Sequence, residues 1–421
     1  MKILEAIRCC ATVTVISCTL VLPASSLAGD WPGWRGADRD GISKESDLLK
    51  EWPSGGPPML WKTAGLGSGY STVAIAKGRI ATMGDRDGSS FVVLLNEADG
   101  KVLWTQKIGL AGAPGWGDFE GPRSTPALDG DTVFALGQYG DLACLQTSNG
   151  TVQWKRNFKN DFGASLPEWG FAESPLVDGS QVVVTPGGSG GAIVALNKET
   201  GAILWRAKEF TDPAHYSSII VADIDGVRQY IQLTERSVVG VAAKDGKLLW
   251  RAARRGSTAV IPTPVYNDHH VYVTSGYGIG CHLFRVSSAG GKFSAEEVYA
   301  NKVMVNHHGG VVRVGNYVYG FSDSKGWTCQ DFLKGEAAWQ EKGVLGKGSI
   351  VYADGRLYLR TEEGKGTVAL IEATPAGFKE KGRFDQPNRI DRQTWAHPVV
   401  ANGRLYLRDN DILLCYDVKA K

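Results

Sequence analysis

With 421 residues and a formal net charge of +2, the chain lacks the one-sided charge of a nucleic-acid or anionic-membrane binder. It carries 54 glycines and no long apolar stretch of 3.6-residue period after residue 30, which excludes a helical protein and points to many short strands. The length suits two or three average domains or one large repeat ring.

The first 28 residues read as an export signal. Lys2 and Arg8 make a basic start, Cys9 to Leu22 an apolar core, and Ser26-Leu27-Ala28 a cleavage site of small residues. The expected location is periplasmic or extracellular. A second reading of the same segment takes Val15-Ile16-Ser17-Cys18 as a lipobox, leaving a lipid anchor on Cys18. Residues 29–58 form an irregular segment expected to pack on the folded body, because Trp31 and Trp34 need burial. Asp38-Arg39-Asp40-Gly41 and Asp85-Arg86-Asp87-Gly88 lack the continuing ligand spacing of calcium loops and read as turns.

From Met59 onward two hairpins alternate. The first turns at Lys77-Gly78, Asp129-Gly130, Asp178-Gly179, Asp225-Gly226, Asn267-Asp268, Gly315-Asn316, Asp354-Gly355 and Asn402-Gly403. The second is clearest in Val194-Ala195-Leu196-Asn197-Lys198-Glu199-Thr200-Gly201-Ala202-Ile203-Leu204-Trp205, where the turn glycine stands four residues before a tryptophan. Gly100, Gly150, Gly246 and Gly335 hold the same place before Trp104, Trp154, Trp250 and Trp339. With Trp61, Tyr299 and Phe384 the closing aromatics number eight, and they are expected to pack as structural rings between neighbouring units. Four strands per unit, repeated at intervals in the forties and low fifties, predict an all-β, eight-bladed β-propeller over residues 59–421. The chain ends one strand short after Ile412 to Val418, so the strand around Trp61 is expected to complete the last four-stranded antiparallel blade and close a monomeric ring.

Cys144, Cys281, Cys329 and Cys415 lie in apolar strands and read as buried small hydrophobes. Residues just before each innermost strand should gather at one mouth of the central channel. This places Tyr70, Arg123, Glu173, Tyr216, His307, His308, Lys347, Trp395 and His397 together as ligand-binding candidates. The long loops 110–121, 158–172 and 385–394 bring Trp116, Trp169 and Phe171 to the same rim. His307 and His308, read as strand neighbours, should point to opposite faces and so not share a metal, and no metal site is expected. Gly187-Gly188-Ser189-Gly190-Gly191 and Gly276-Tyr277-Gly278-Ile279-Gly280 join strands to strands, so neither is a hydrolase elbow nor a dinucleotide loop.

The repeats resemble those of the pyrroloquinoline-quinone (PQQ)-like β-propellers, which include quinoprotein alcohol dehydrogenases and the assembly lipoprotein BamB. Trp31-Pro32-Gly33-Trp34-Arg35-Gly36 with Arg39-Asp40-Gly41 is similar to the opening of secreted members from planctomycete bacteria. For a dehydrogenase the resemblance implies PQQ with calcium beneath an adjacent cysteine pair. The chain after residue 28 has no such pair, so no catalytic residue and no cofactor are expected. The reading is an exported binding or scaffolding propeller of the cell envelope with a protein or glycan partner, no nucleic acid and no membrane span. Two alternatives stand beside it: a reduced quinoprotein-type oxidoreductase using Arg123, Glu173, Lys347 and His307 or His308, and a carbohydrate- or peptide-binding propeller stacking ligands on Trp116, Trp169 and Trp395.

Overall fold

A computed structural model describes residues 29–420 except 116 and 391. The export signal, Cys18 and Trp116 therefore lie outside the described residues.

Eight antiparallel blades follow one another around a ring, and among the described residues there is one short helix, Phe158–Phe162, between blades 2 and 3. The blades span 74–110, 127–157, 176–206, 220–253, 265–301, 311–341, 348–384 and 399–417. Strand Met59–Thr63 pairs with Ile412–Asp417 and supplies the fourth strand of blade 8, so the ring closes between the two ends of the repeat region. Closure leaves no blade incomplete, which removes the open edge that would otherwise template association.

The aromatic at the end of each outer strand joins its blade to the next. Trp104 Nε1 donates to Thr147 O at 2.9 Å, Trp154 Nε1 to Lys198 O at 2.9 Å, and Trp339 Nε1 to Thr374 O at 2.9 Å. Tyr299 keeps the device without the indole, its hydroxyl donating to Phe332 O at 2.8 Å. The ring lies against the turn glycine of the following blade. A Cβ on Gly201, whose φ is 67°, would stand 2.7 Å from Trp154 Cδ2. Trp250 packs among residues of blades 4 and 5 but donates to Gln229 Oε1 of its own blade at 2.7 Å. The long outer hairpin of blade 5, Gly280–Ala289 with Lys292–Asn301, packs Phe293 and Ala295 against the same cluster. Cys144, Cys281, Cys329 and Cys415 are all free and buried.

Small polar side chains ahead of the innermost strands lace neighbouring blades. Ser174 Oγ accepts from Thr125 N at 2.9 Å, Ser218 Oγ accepts from Ser174 N at 3.0 Å, and Thr72 Oγ1 donates to His397 O at 2.9 Å. Buried backbone groups at these junctions have no strand partner, so a short hydroxyl is the economical way to satisfy them.

Residues 31–43 run through the axis of the ring as a plug. Trp31 exchanges two backbone bonds with Ile75 of blade 1, both 2.7 Å, and Pro32 O accepts from Leu128 N of blade 2. Arg39 donates to Ser174 O at 2.8 Å and Pro175 O at 3.0 Å beside blade 3. Trp34 Nε1 donates to Thr263 Oγ1 at 2.8 Å beside blade 5, and Arg35 Nη2 donates to Val311 O of blade 6. Ile42–Ser43 pairs parallel with Gly348–Ala353, covering the axial edge of blade 7. One segment thus ties six blades through their innermost strands or the residues just before them. Farther on, Leu48 and Trp52 join the buried cluster of blades 7, 8 and 1.

Candidate functional site

Above the plug lies a cavity of about 290 Å³. Trp34 and His397, with ring centroids 4.7 Å apart, come from the plug and from the lead-in to blade 8. One wall is a continuous run of rings. Tyr277 meets His307 at 4.6 Å, His307 meets His308 at 3.5 Å, and His308 stacks on Trp395 at 4.4 Å and 24°. Trp395 in turn meets Tyr70 at 4.5 Å and Phe119 at 5.1 Å. Trp169 and Tyr216, 5.9 Å apart, form a second aromatic pair in the lining. Each contributor comes from a loop or strand lead-in at the same end of its blade, so ring closure assembles the cup from distant stretches of chain.

The charge pattern is simple. Among the described lining residues Arg123 is the one cationic side chain, and none is a carboxylate or an amide. Its guanidinium donates to Phe119 O at 2.8 Å and Gly121 O at 3.2 Å and lies 5.4 Å from the centre of the Tyr70 ring. The three lining histidines are held neutral. Burial, His308 and the Lys347 charge lower His307 to about 2; burial and Arg35 lower His397 to about 3; burial and then Lys347 push His308 well below the ordinary value. His397 Nε2 lies 3.0 Å from His308 O, so a neutral His397 donates from that nitrogen.

Behind His307 stands a charged chain. Lys347 Nζ is 3.1 Å from Asp323 Oδ1 and 2.7 Å from His307 Nδ1, while His307 Nε2 is 2.8 Å from the Tyr277 hydroxyl. Tyr277 occupies a tight hairpin turn with φ 55°, followed by Gly278 at 76°. Gly276 permits the approach, since a Cβ there would stand 3.1 Å from His307 Cβ.

The structure brings Tyr70, Arg123, Trp169, Tyr216, His307, His308, Trp395 and His397 to one cavity. Lys347 does not line it but sits behind His307, anchored by Asp323. Glu173 is buried outside the cup, where its carboxylate accepts from Thr185 N and faces Arg39 of the plug. Burial raises it to about 7 against the opposing pull of Arg39. Phe171 is not on the rim either. It packs at 4.9 Å edge-on against Phe158, because Phe158–Phe162 folds back as a capped helical turn and buries that end of its loop. The two adjacent histidines do not diverge. Residues 302–310 leave the strand pattern, so alternation does not apply and both rings face the cup.

Trp34, Phe119, Ser218, Thr258 and Tyr277 also line the cup and were not among the sequence candidates. Trp34 carried one signal, a large apolar ring in an irregular segment with nowhere local to pack. Tyr277 carried another, a bulky residue where turns elsewhere in the ring place Asp87, Ser324 and Asn410 at positive φ. Among the described residues no group of three or more His, Cys, Asp or Glu could hold a metal ion, and no helix is long and apolar enough to cross a membrane.

The model of the family described as "Outer membrane protein assembly factor BamB" matches residues 88–341, more than half of the chain. BamB of Shigella dysenteriae serotype 1 is 27% identical over 203 residues, 44% of this chain and 48% of its own length. BamB of Escherichia coli (strain K12) is 26% identical over 191 residues, 41% and 45% respectively. The chain thus spans about half the length of the curated relatives it matches. Among solved structures, BamB from Moraxella catarrhalis aligns with a TM-score of 0.61 at 14% identity, covering 86% of this chain and 98% of that one. Quinohemoprotein alcohol dehydrogenase from Comamonas testosteroni aligns with a TM-score of 0.69 at 13% identity, covering 94% and 82%. At such identities the likeness is one of fold, and function rests on the site.

Proposed function

Because the chain belongs to the BamB family of PQQ-like propellers, we propose that it is an exported binding propeller of the cell envelope, working through the aromatic cup without catalysis. The observation that carries this reading is the cup itself: rings from the plug and from blade-top loops converge on one concave site whose described lining residues include a single cation and no acidic group. Such a site takes up a flat, largely apolar group, presented free or on an envelope partner. Burying a ring of that kind removes roughly 150–250 Å² from water, enough for useful affinity without chemistry. The residues 1–28 would supply export, and a rigid ring presenting long loops at one mouth suits a scaffold role.

PQQ with calcium does not suit these residues. A cation at the cup would need oxygen ligands, and no carboxylate or amide lines it among the described residues. The described cysteines are scattered singly through the strands rather than paired. A sugar is also a poor match, because its hydroxyls call for several acceptors and donors in the plane of the ring.

Titrating the full chain with 2-methylnaphthalene, read by tryptophan fluorescence, tests the proposal. Saturable one-to-one quenching that disappears in Trp395→Ala, with unchanged far-UV circular dichroism, is the expected result. Quenching that never saturates, or that survives Trp395→Ala undiminished, would count against the cup.

A further inference from the structure

The hydrogen-bond directions around Tyr277 go further than the shape of the cup. Lys347 Nζ is a donor only, so His307 Nδ1 accepts at 2.7 Å. A neutral imidazole then carries its one proton on Nε2 and donates it to the Tyr277 oxygen at 2.8 Å. The phenol has accepted, and its own proton is free to point elsewhere. Asp323, 3.1 Å from Lys347, fixes the first member of the chain. Within the cup, Arg123 adds a second group that only donates.

The backbone at this point is arranged at a cost. Tight turns with positive φ at both central residues favour Asn-Gly or Asp-Gly, and blade 1 uses Asp87-Gly88 in the equivalent place. Blade 5 instead holds a tyrosine at φ 55°. A bulky residue in that region is strained, and such strain collects where a side chain must be aimed. Tyr277 remains 44% exposed, so core packing does not explain it.

We propose that the cup selects a flat aromatic carboxylate, with Tyr277 as the specificity-determining donor aimed by the chain Asp323–Lys347–His307 and with Arg123 supplying the complementary charge. The inference rests on the cup reading above and names the ligand class. Lys347 and Asp323 are positioning residues; Tyr277 touches the ligand.

The test compares 2-naphthoate with 2-methylnaphthalene on the full chain. The carboxylate should bind more tightly, and Tyr277→Phe should weaken it about ten- to hundredfold while leaving 2-methylnaphthalene unchanged. Tyr277→Asn restores a favoured turn residue, so it should lose the same affinity while melting no lower than the wild type. Nitrogen-15 shifts should report the Nε2–H form of His307, lost in Lys347→Met and kept in Lys347→Arg. Equal binding of both probes, with no effect of Tyr277→Phe, would overturn the donor assignment and leave the cup standing. Failure of both probes to bind would overturn cup and inference together. An Nδ1–H form of His307 would overturn the aiming chain.

Discussion

Replacing Gly201 with alanine should destabilise the ring through Trp154, and a matched glycine shows by how much. Gly201 and Gly226 both sit in hairpin turns at positive φ, 67° and 75°. Alanine at either position meets the same local penalty, about 1–2 kcal/mol for a Cβ in the left-handed region. Gly226 has nothing within 4 Å of its would-be Cβ, so Gly226→Ala should cost only that. At Gly201 the new methyl would lie 2.7, 2.8 and 3.0 Å from Cδ2, Cε3 and Cγ of Trp154. The indole is held by its bond to Lys198 O and cannot yield freely, so overpacking adds about 1–3 kcal/mol. Gly201→Ala should therefore lose about 2–5 kcal/mol. Guanidinium unfolding of the two variants and of Trp154→Ala, alone and combined with Gly201→Ala, measures the difference. The double variant should be little worse than Trp154→Ala, because the clash has gone. Equal costs at Gly201 and Gly226, or strict additivity with Trp154→Ala, would refute the account of the tryptophan as the joint between blades.

Two further predictions concern the axis. Arg39→Met removes two charge-assisted bonds and leaves the buried carbonyls of Ser174 and Pro175 unpaired, which should cost about 2–6 kcal/mol in a denaturant titration; a loss under 1 kcal/mol would show that the plug is not held there. Stability should also depend on pH in two opposite ways. His397 keeps its neutral form in the fold down to about 3 but protonates near 6.5 when unfolded, so stability falls as pH drops through that window. Glu173 holds its proton in the fold up to about 7 and releases it near 4.5 when unfolded, so its contribution is present below 4.5 and lost as pH rises to 7. Each slope is at most about 1.4 kcal/mol per pH unit. Between pH 4.5 and 6.5 the two slopes oppose each other, so relative to the wild type the melting temperature should change more negatively with rising pH in His397→Gln and more positively in Glu173→Gln, and unchanged profiles would contradict these assignments.

The ring was readable because its signals are local. A turn glycine and an aromatic four residues later belong to one hairpin, and five such copies, with three more closing aromatics in phase, count the blades without any long-range information. The closure by Met59–Thr63 followed from strand arithmetic at the two ends of the repeat region. The plug was only half legible: Trp31 and Trp34 announced a need for burial, but nothing in their neighbours says that the burial is axial. Part of the cup was foreseeable from register, which places Tyr70, Arg123 and His307 at equivalent lead-ins. Register does not report depth, so it could not separate Glu173, turned toward Arg39, or Phe171, drawn under by a helical turn. Tyr277 escaped because its meaning lies in a histidine thirty residues on and a lysine beyond that.

The strand Met59–Thr63 gives the ring a place in time. Its partner, Ile412–Asp417, leaves the ribosome roughly 350 residues later, which at about 5–20 residues per second is tens of seconds. Through that interval the fourth strand of blade 8 exists without its blade, and the plug beside it can reach only the earlier half of its contacts. An open strand of this kind invites wrong partners while it waits. Ring closure is therefore the step that retires this exposed strand, and it comes only with the last strand of the repeat region.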